Sequence, residues 1–214
     1  EQAMELSNLL LILLGGFTGG LLNALAGGGT FLSFPALLLA GIGPVSANAT
    51  NAVALWPASL STAWALRSNL RSLHWRHYLR PLLLAATSGG LLGGLLLLLI
   101  SDDAFYQLIP WLLLLATLLF TTSRQIAERL QRWNQRQPDL QRLTRKGWCG
   151  QWLVSVYGGF FGAGMGILMI ASLAISGHTR MLEINAIKSL LSSVIYSVAA
   201  LTFILAGAVH WLAL

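Results

Sequence analysis

Three consecutive glycines, Gly27, Gly28 and Gly29, interrupt a long apolar stretch in "NALAGGGTF" (23–31). Lipid offers no hydrogen bond to a freed backbone N–H or C=O, so irregular chain at membrane depth must be buried in protein or line a wet cavity. Glycine permits positive φ and close backbone approach. A helix restarting at Thr30 would present first-turn N–H groups and the positive end of its dipole, which together attract anions. Gly164 and Gly166 are expected to prepare a second break of the same kind. Two broken helices meeting near the bilayer midplane point to a transport site. The competing explanation is helix packing through small residues. Packing is preferred for "GGFTGG" (15–20) and "SGGLLGG" (88–94), whereas the short apolar segments after 27–29 and 164–166 favour a site there.

The second chemical clue is a cation among apolar residues, Lys188 in "EINAIKSLLSSVIY" (183–196). A lysine at the centre of a spanning helix costs about 2.5–3.5 kcal/mol on insertion scales, so it calls for a partner or an aqueous cavity. Ser192 and Tyr196 follow at four-residue steps and share its helix face, with Asn185 and Ser189 on the neighbouring stripe. The alternatives are snorkelling to the interface or pairing with Glu183. The pairing is strained, because five positions separate the two by about 140° around the helix. The first half of the chain offers Asn48, Thr50 and Asn51 near the start of an apolar segment. Ser46 or Asn48 is expected to cap that helix, which leaves Thr50 and Asn51 for a site. Arg180 could draw anions to the cytoplasmic mouth, but anchoring to headgroups is the preferred role. His74 and His77 have metal-like spacing, yet they sit among arginines and read as a solvated loop face. No nucleophile elbow, HExxH or intramembrane carboxylate pair is present, which argues against an enzyme. No cofactor or metal is expected, and Cys149 reads as a small packing residue.

The elements that must position these residues follow from composition. The chain is 56% hydrophobic and 9% charged, far below the roughly 25% charge of a soluble domain. Runs such as "LLGGLLLLLI" (91–100) cannot all face inward in 214 residues, so the fold class is all-α, a polytopic helical membrane protein. Apolar segments fall at 6–26, 30–42, 46–66, 81–100, 104–122, 147–163, 165–177 and 182–207. The net charge of +6 does not indicate nucleic acid. Its arginines concentrate at 67–80 and 124–145, beside apolar spans, as in cytoplasmic loops. Trp64, Trp75, Trp111, Trp148 and Trp211 lie near segment ends, where an aromatic belt belongs, and Trp56-Pro57 should kink its helix.

An internal repeat is visible at a shift of 137 positions. Ala26-Gly27-x-Gly29 falls on Ala163-Gly164-x-Gly166, and Asn48-Ala49 falls on Asn185-Ala186. Asn51 is then the counterpart of Lys188. The expected organisation is a first transmembrane repeat over 1–122, a basic cytoplasmic loop over 123–146 and a second repeat over 147–214 that looks C-terminally incomplete. Segments 30–42 and 165–177 are too short to cross comfortably and read as half-helices or re-entrant pieces. Five crossings in the first repeat would invert the second, whereas re-entrant short segments would change that count and the inversion would fail.

These residues carry a family resemblance. "GGLLNALAGGGTFLSFPALLLAGIGPVSANATNAVAL" (19–55) resembles the first signature of the TauE/SafE sulfite exporter family, with Gly27–Gly29, Pro35, Gly41 and Ala47 to Asn51 at the matching places. "GGFFGAGMGILMIASLAISG" (158–177) resembles the second through Gly162, Gly164 and Gly166. Ser172 stands where that signature usually has Pro, Ile187 stands near a usual Thr, and Lys188 replaces a small polar residue. The resemblance implies a transporter of sulfite, organosulfonates or related small anions, often an exporter, in the bacterial inner membrane. Its expected partners are a small anionic substrate and membrane lipid, with possible proton coupling. A passive anion channel and a non-transporting assembly protein remain the alternatives.

Overall fold

The computed structural model describes residues 6–26, 28–71, 73–134, 145–175 and 181–214, and every regular element among them is helical. The helices are α1 (Leu6–Ala26), α2 (Thr30–Leu39), α3 (Pro44–Leu66), α4 (Arg80–Leu99), α5 (Asp102–Asn134), α6 (Arg145–Phe160), α7 (Met165–Ile175) and α8 (Met181–Leu205). A π-helical turn at Trp75–Leu79 leads into α4. Three stretches, Trp75–Leu99, Asp102–Leu119 and Leu182–Leu205, are long and apolar enough to cross a membrane. α3 has comparable length, 23 residues, but carries Asn48, Thr50, Asn51 and Ser59 buried on its inner face. Large apolar side chains such as Leu13, Phe17, Leu84, Leu95 and Leu114 are exposed on the surface, as are Trp64, Trp75, Trp111, Trp148 and Trp211. That surface suits lipid, with amphipathic aromatics toward the helix ends.

Close contacts fix the helix directions. In α1, a Cβ on Gly15 would strike Ala36, and one on Gly19 would lie 2.9 Å from the Gly29 carbonyl and 3.0 Å from Ser33. α1 and α2 are therefore an antiparallel hairpin. Residues 30–42 are thus a short re-entrant piece rather than a further crossing: α2 returns the chain toward the end from which α1 came. Gly158 and Gly150 on α6 face Met165 and Ser172 on α7 in the same antiparallel sense. α4, α6 and α8 run parallel, since Gly89 and Gly93 meet α6 at Ser155 and then Phe160, while Gly90 and Gly94 meet α8 at Ile195 and then Ala199. α3 runs against α8, with Ser46 Oγ donating to the Ala208 carbonyl at 2.8 Å and Trp56 Nε1 donating to Ser197 Oγ at 2.6 Å.

One end of the bundle gathers Arg67, Arg71, Arg76, Arg80 and the start of α6 at Arg145. We call it the basic end. At the far end, Asp102 opens α5 and accepts a hydrogen bond from the Val45 N–H at 2.9 Å. α5 stays helical through Arg129 and Arg132 to Asn134, so part of the segment expected as a basic loop is helix. Its 33 residues span about 50 Å, more than a hydrocarbon core of about 30 Å. Residues 135–144 of that segment lie outside the described residues.

Glycine makes the central seams. A Cβ on Gly93 would run into the Val156 carbonyl oxygen, whereas nothing lies within 4 Å of one on Gly20. Gly93→Ala must push α4 and α6 apart, and overpacking of this kind costs about 1–3 kcal/mol or more. Thermal unfolding of the purified protein should show a clear loss for Gly93→Ala and none for Gly20→Ala.

Candidate functional site

The two hairpin tips meet inside the bundle, and they turn by different means. Of the two freedoms that glycine offers at 27–29, positive φ is not used at Gly29, which has φ −57°; among the described residues the positive-φ glycines are Gly41, Gly162, Gly164 and Gly207. Gly29 is needed for close approach instead: a Cβ there would sit 2.5 Å from the Gly19 carbonyl and 2.7 Å from Asn23. Gly28 is buried, and Gly27 lies outside the described residues. In the second hairpin, Gly162 (φ +82°) and Gly164 (φ +72°) make the turn, and Gly166 is buried in the first turn of α7.

Several of the first-turn N–H groups expected to await an anion are engaged. Phe31 N–H donates to the Gly28 carbonyl at 3.1 Å, and those of Leu32 and Ser33 donate to Gly29 at 3.1 and 3.2 Å. In α7, Met165 N–H reaches the Gly162 carbonyl at 3.2 Å, and Ile167 N–H reaches Gly164 at 3.1 Å. The glycine turns fold their carbonyls over the helix starts and satisfy donors that lipid cannot. Polar side chains add further donors and acceptors beside them.

Those side chains converge at the tips. Asn51 on α3 donates through Nδ2 to Thr30 Oγ1 at 3.2 Å, and its Oδ1 accepts from the Ser33 hydroxyl. The Gly29 carbonyl, 2.9 Å from the same Ser33 hydroxyl, shares that single proton with Asn51. Tyr196 on α8 hydrogen-bonds with the Thr30 side chain, and its hydroxyl lies 3.3 Å from where a Cβ on Gly162 would stand. Thr30, Ser33, Asn51 and Tyr196 are all buried. The arrangement joins both breaks through one network of hydroxyls and an amide, able to donate to an oxyanion. Phe34, Phe105, Phe160 and Phe161 stack edge to face on its far-end side, with centroids 5.3–6.3 Å apart. On another side, a cavity of about 500 Å³ reaches Ser33 and Asn51 between α1 and α3.

The other expected site residues divide. Asn48 Nδ2 donates to the Phe160 carbonyl at 2.7 Å, and Thr50 Oγ1 accepts from the His210 N–H at 2.9 Å. Neither Ser46 nor Asn48 caps α3, contrary to expectation. The helix starts earlier, at Pro44 behind Gly43, so both residues lie within it and bond across to other segments. Lys188 and Ser192 lie on the Tyr196 helix but nearer the basic end. Eight residues separate Lys188 from Tyr196, about 12 Å of helix. Lys188 is half-buried, as is Asn185 one turn further, while the Ser192 hydroxyl rests 3.5 Å from Met169 Sδ. His178 and Arg180 lie outside the described residues. Sequence reasoning missed Ser33, although it stands one helical turn beyond Thr30 and so on its face, and it had Gly162 only as part of the second signature. It also missed Tyr157, which donates to the Ala163 carbonyl at 2.6 Å.

An apolar exterior, polar side chains turned inward at two backbone breaks and a basic end define an integral membrane protein of the polytopic helical class. Residues 12–214 match the family of the sulfite exporter TauE/SafE, and the chain belongs to that family of membrane transporters for sulfur-containing anions. No curated protein and no solved structure matches the chain significantly.

Asn51 holds Thr30 and Ser33 at once. Asn51→Leu leaves buried hydroxyls without that partner, a loss of about 1–3 kcal/mol. Its melting temperature should fall, while Asn51→Asp, which still accepts from Ser33, should fall less.

Proposed function

We propose that this chain is a secondary transporter that moves sulfite or an organosulfonate outward across the bacterial inner membrane by alternating access. The observation that carries this reading is the shared network at the two tips: Thr30 and Asn51 from the first hairpin unit meet Tyr196 and Gly162 from the second. An anion entering there would exchange the mutual bonds of Thr30, Ser33, Asn51 and Tyr196 for bonds to its oxygens, with Lys188 and Ser192 on the approach from the basic end.

Alternating access needs two units that can rock about such a site. α1–α2–α3 and α6–α7–α8 each consist of a hairpin followed by a long helix, and α3 runs against α8. Three long helices, α3, α4 and α5, separate the two hairpins, an odd number. That supports an inverted relation although the original count of five crossings is replaced. The aromatic stack would close the far-end side until the units move. Coupling to protons would run through Lys188 or through the substrate itself, since the network contains no carboxylate.

The test is counterflow of radiolabelled sulfite in proteoliposomes. Internal unlabelled sulfite should accelerate uptake of the label. Flux without acceleration would make the protein a channel, and no flux with sulfite or taurine would favour an assembly role. Lys188→Met should lower the flux about tenfold or more, the value of one lost charge-assisted hydrogen bond of about 1.5–3 kcal/mol, while the folded yield stays unchanged. Sidedness is checked separately in a Cys149→Ser background. Arg76→Cys should react with an impermeant maleimide only from the cytoplasmic side, and Asp103→Cys only from the opposite side.

A further inference from the structure

Gln151 on α6 is fully buried, and neither its amide oxygen nor its amide nitrogen has a hydrogen-bond partner. A buried amide left unsatisfied is costly and calls for an explanation. Nothing in the network at the hairpin tips uses it.

Helix register shows what Gln151 faces. Gly158 on α6 sits between α7 and α8: a Cβ there would meet Met165 first and would lie 3.4 Å from Ile195 Cγ2. Gln151 and Lys188 stand seven residues before Gly158 and Ile195 respectively, toward the basic end. Seven residues return a helix to within about 20° of the same face, and α6 and α8 run parallel. The two side chains therefore occupy one level and turn to one seam. α7 closes that level from the side: Gly150 places its Cβ position 3.1 Å from Ser172 Oγ, and Met169 touches Ser192. The level holds an ammonium, an amide and hydroxyls.

We propose that Gln151 and Lys188 form a second anion subsite, on the basic-end side of the Thr30–Asn51–Tyr196 network, which receives the substrate before it reaches the hairpin tips. This rests on the transport reading. The donor set selects a small oxyanion: the ammonium and the amide N–H₂ meet charged oxygens. The amide carbonyl accepts from a protonated oxygen, as hydrogensulfite carries.

The test is a sodium sulfite titration of the purified protein, read as melting temperature against concentration. Gln151→Leu keeps the volume and removes the unsatisfied amide, so its melting temperature without sulfite should hold or rise. The half-saturating sulfite concentration should rise about tenfold. Lys188→Met should act alike, and the double variant should lie within about twofold of the weaker single, as for residues sharing one ligand. An unchanged titration in Gln151→Leu, or effects that multiply in the double variant, overturns the subsite. If the leucine variant fails to fold, Gln151→Glu replaces it. A carboxylate facing Lys188 should abolish the sulfite response, and a retained response overturns the proposal. Counterflow keeps the two readings apart. Binding that depends on Gln151 without counterflow removes the carrier and keeps the subsite. Counterflow indifferent to Gln151 does the reverse, and a wild-type protein with neither response removes both.

Discussion

The structure depends on one constraint, that every backbone polar group at membrane depth must find its partner within the protein. Both hairpins obey it at their tips. Glycine carbonyls accept from the first turns of α2 and α7. Side chains serve the carbonyls that remain: Asn48 bonds the carbonyl of Phe160, Tyr157 that of Ala163, and Ser33 that of Gly29. Several residues that look like ligands from their type alone are thus partners of broken backbone.

The same constraint separates rigid from adaptable contacts. α4 holds α6 and α8 through glycine seams where backbone touches backbone, as at Gly159 against the Gly90 carbonyl. Such seams have no side chains to rearrange and can open only by leaving voids. α3 meets the second half through individual side-chain hydrogen bonds, Trp56 to Ser197, Ser46 to Ala208 and Thr50 to the His210 N–H. These bonds can exchange partners at little cost. A polar seam between α3 and α8 thus stands beside a glycine-locked group of α4, α6 and α8.

Much of this was legible in the residues. Composition dictated an all-helical membrane protein, because so much continuous apolar chain cannot be hidden in so small a particle. The glycine pairs of 88–94 read as packing and do pack, since stretches of small residues let helices touch. The breaks at 27–29 and 164–166 and the polar start of α3 stood out as one region to examine for polar contacts, and Thr30, Asn51 and Tyr196 do meet there.

What the chain could not declare by itself is which way each piece turns. A short apolar segment after a glycine cluster suits a further crossing or a return, and only the packing of Gly15 and Gly19 on α2 makes it a return. Residues spaced along one helix face are neighbours in pattern but not in depth, so Lys188 and Tyr196 share a stripe while standing at different levels. Gln151 gave no signal, because a lone glutamine near a helix start reads as surface until the closed bundle buries it. Local sequence specifies helix, break and face through short-range sterics and solvation. Direction and depth come from contacts between residues far apart in the chain, which exist only once the bundle is closed.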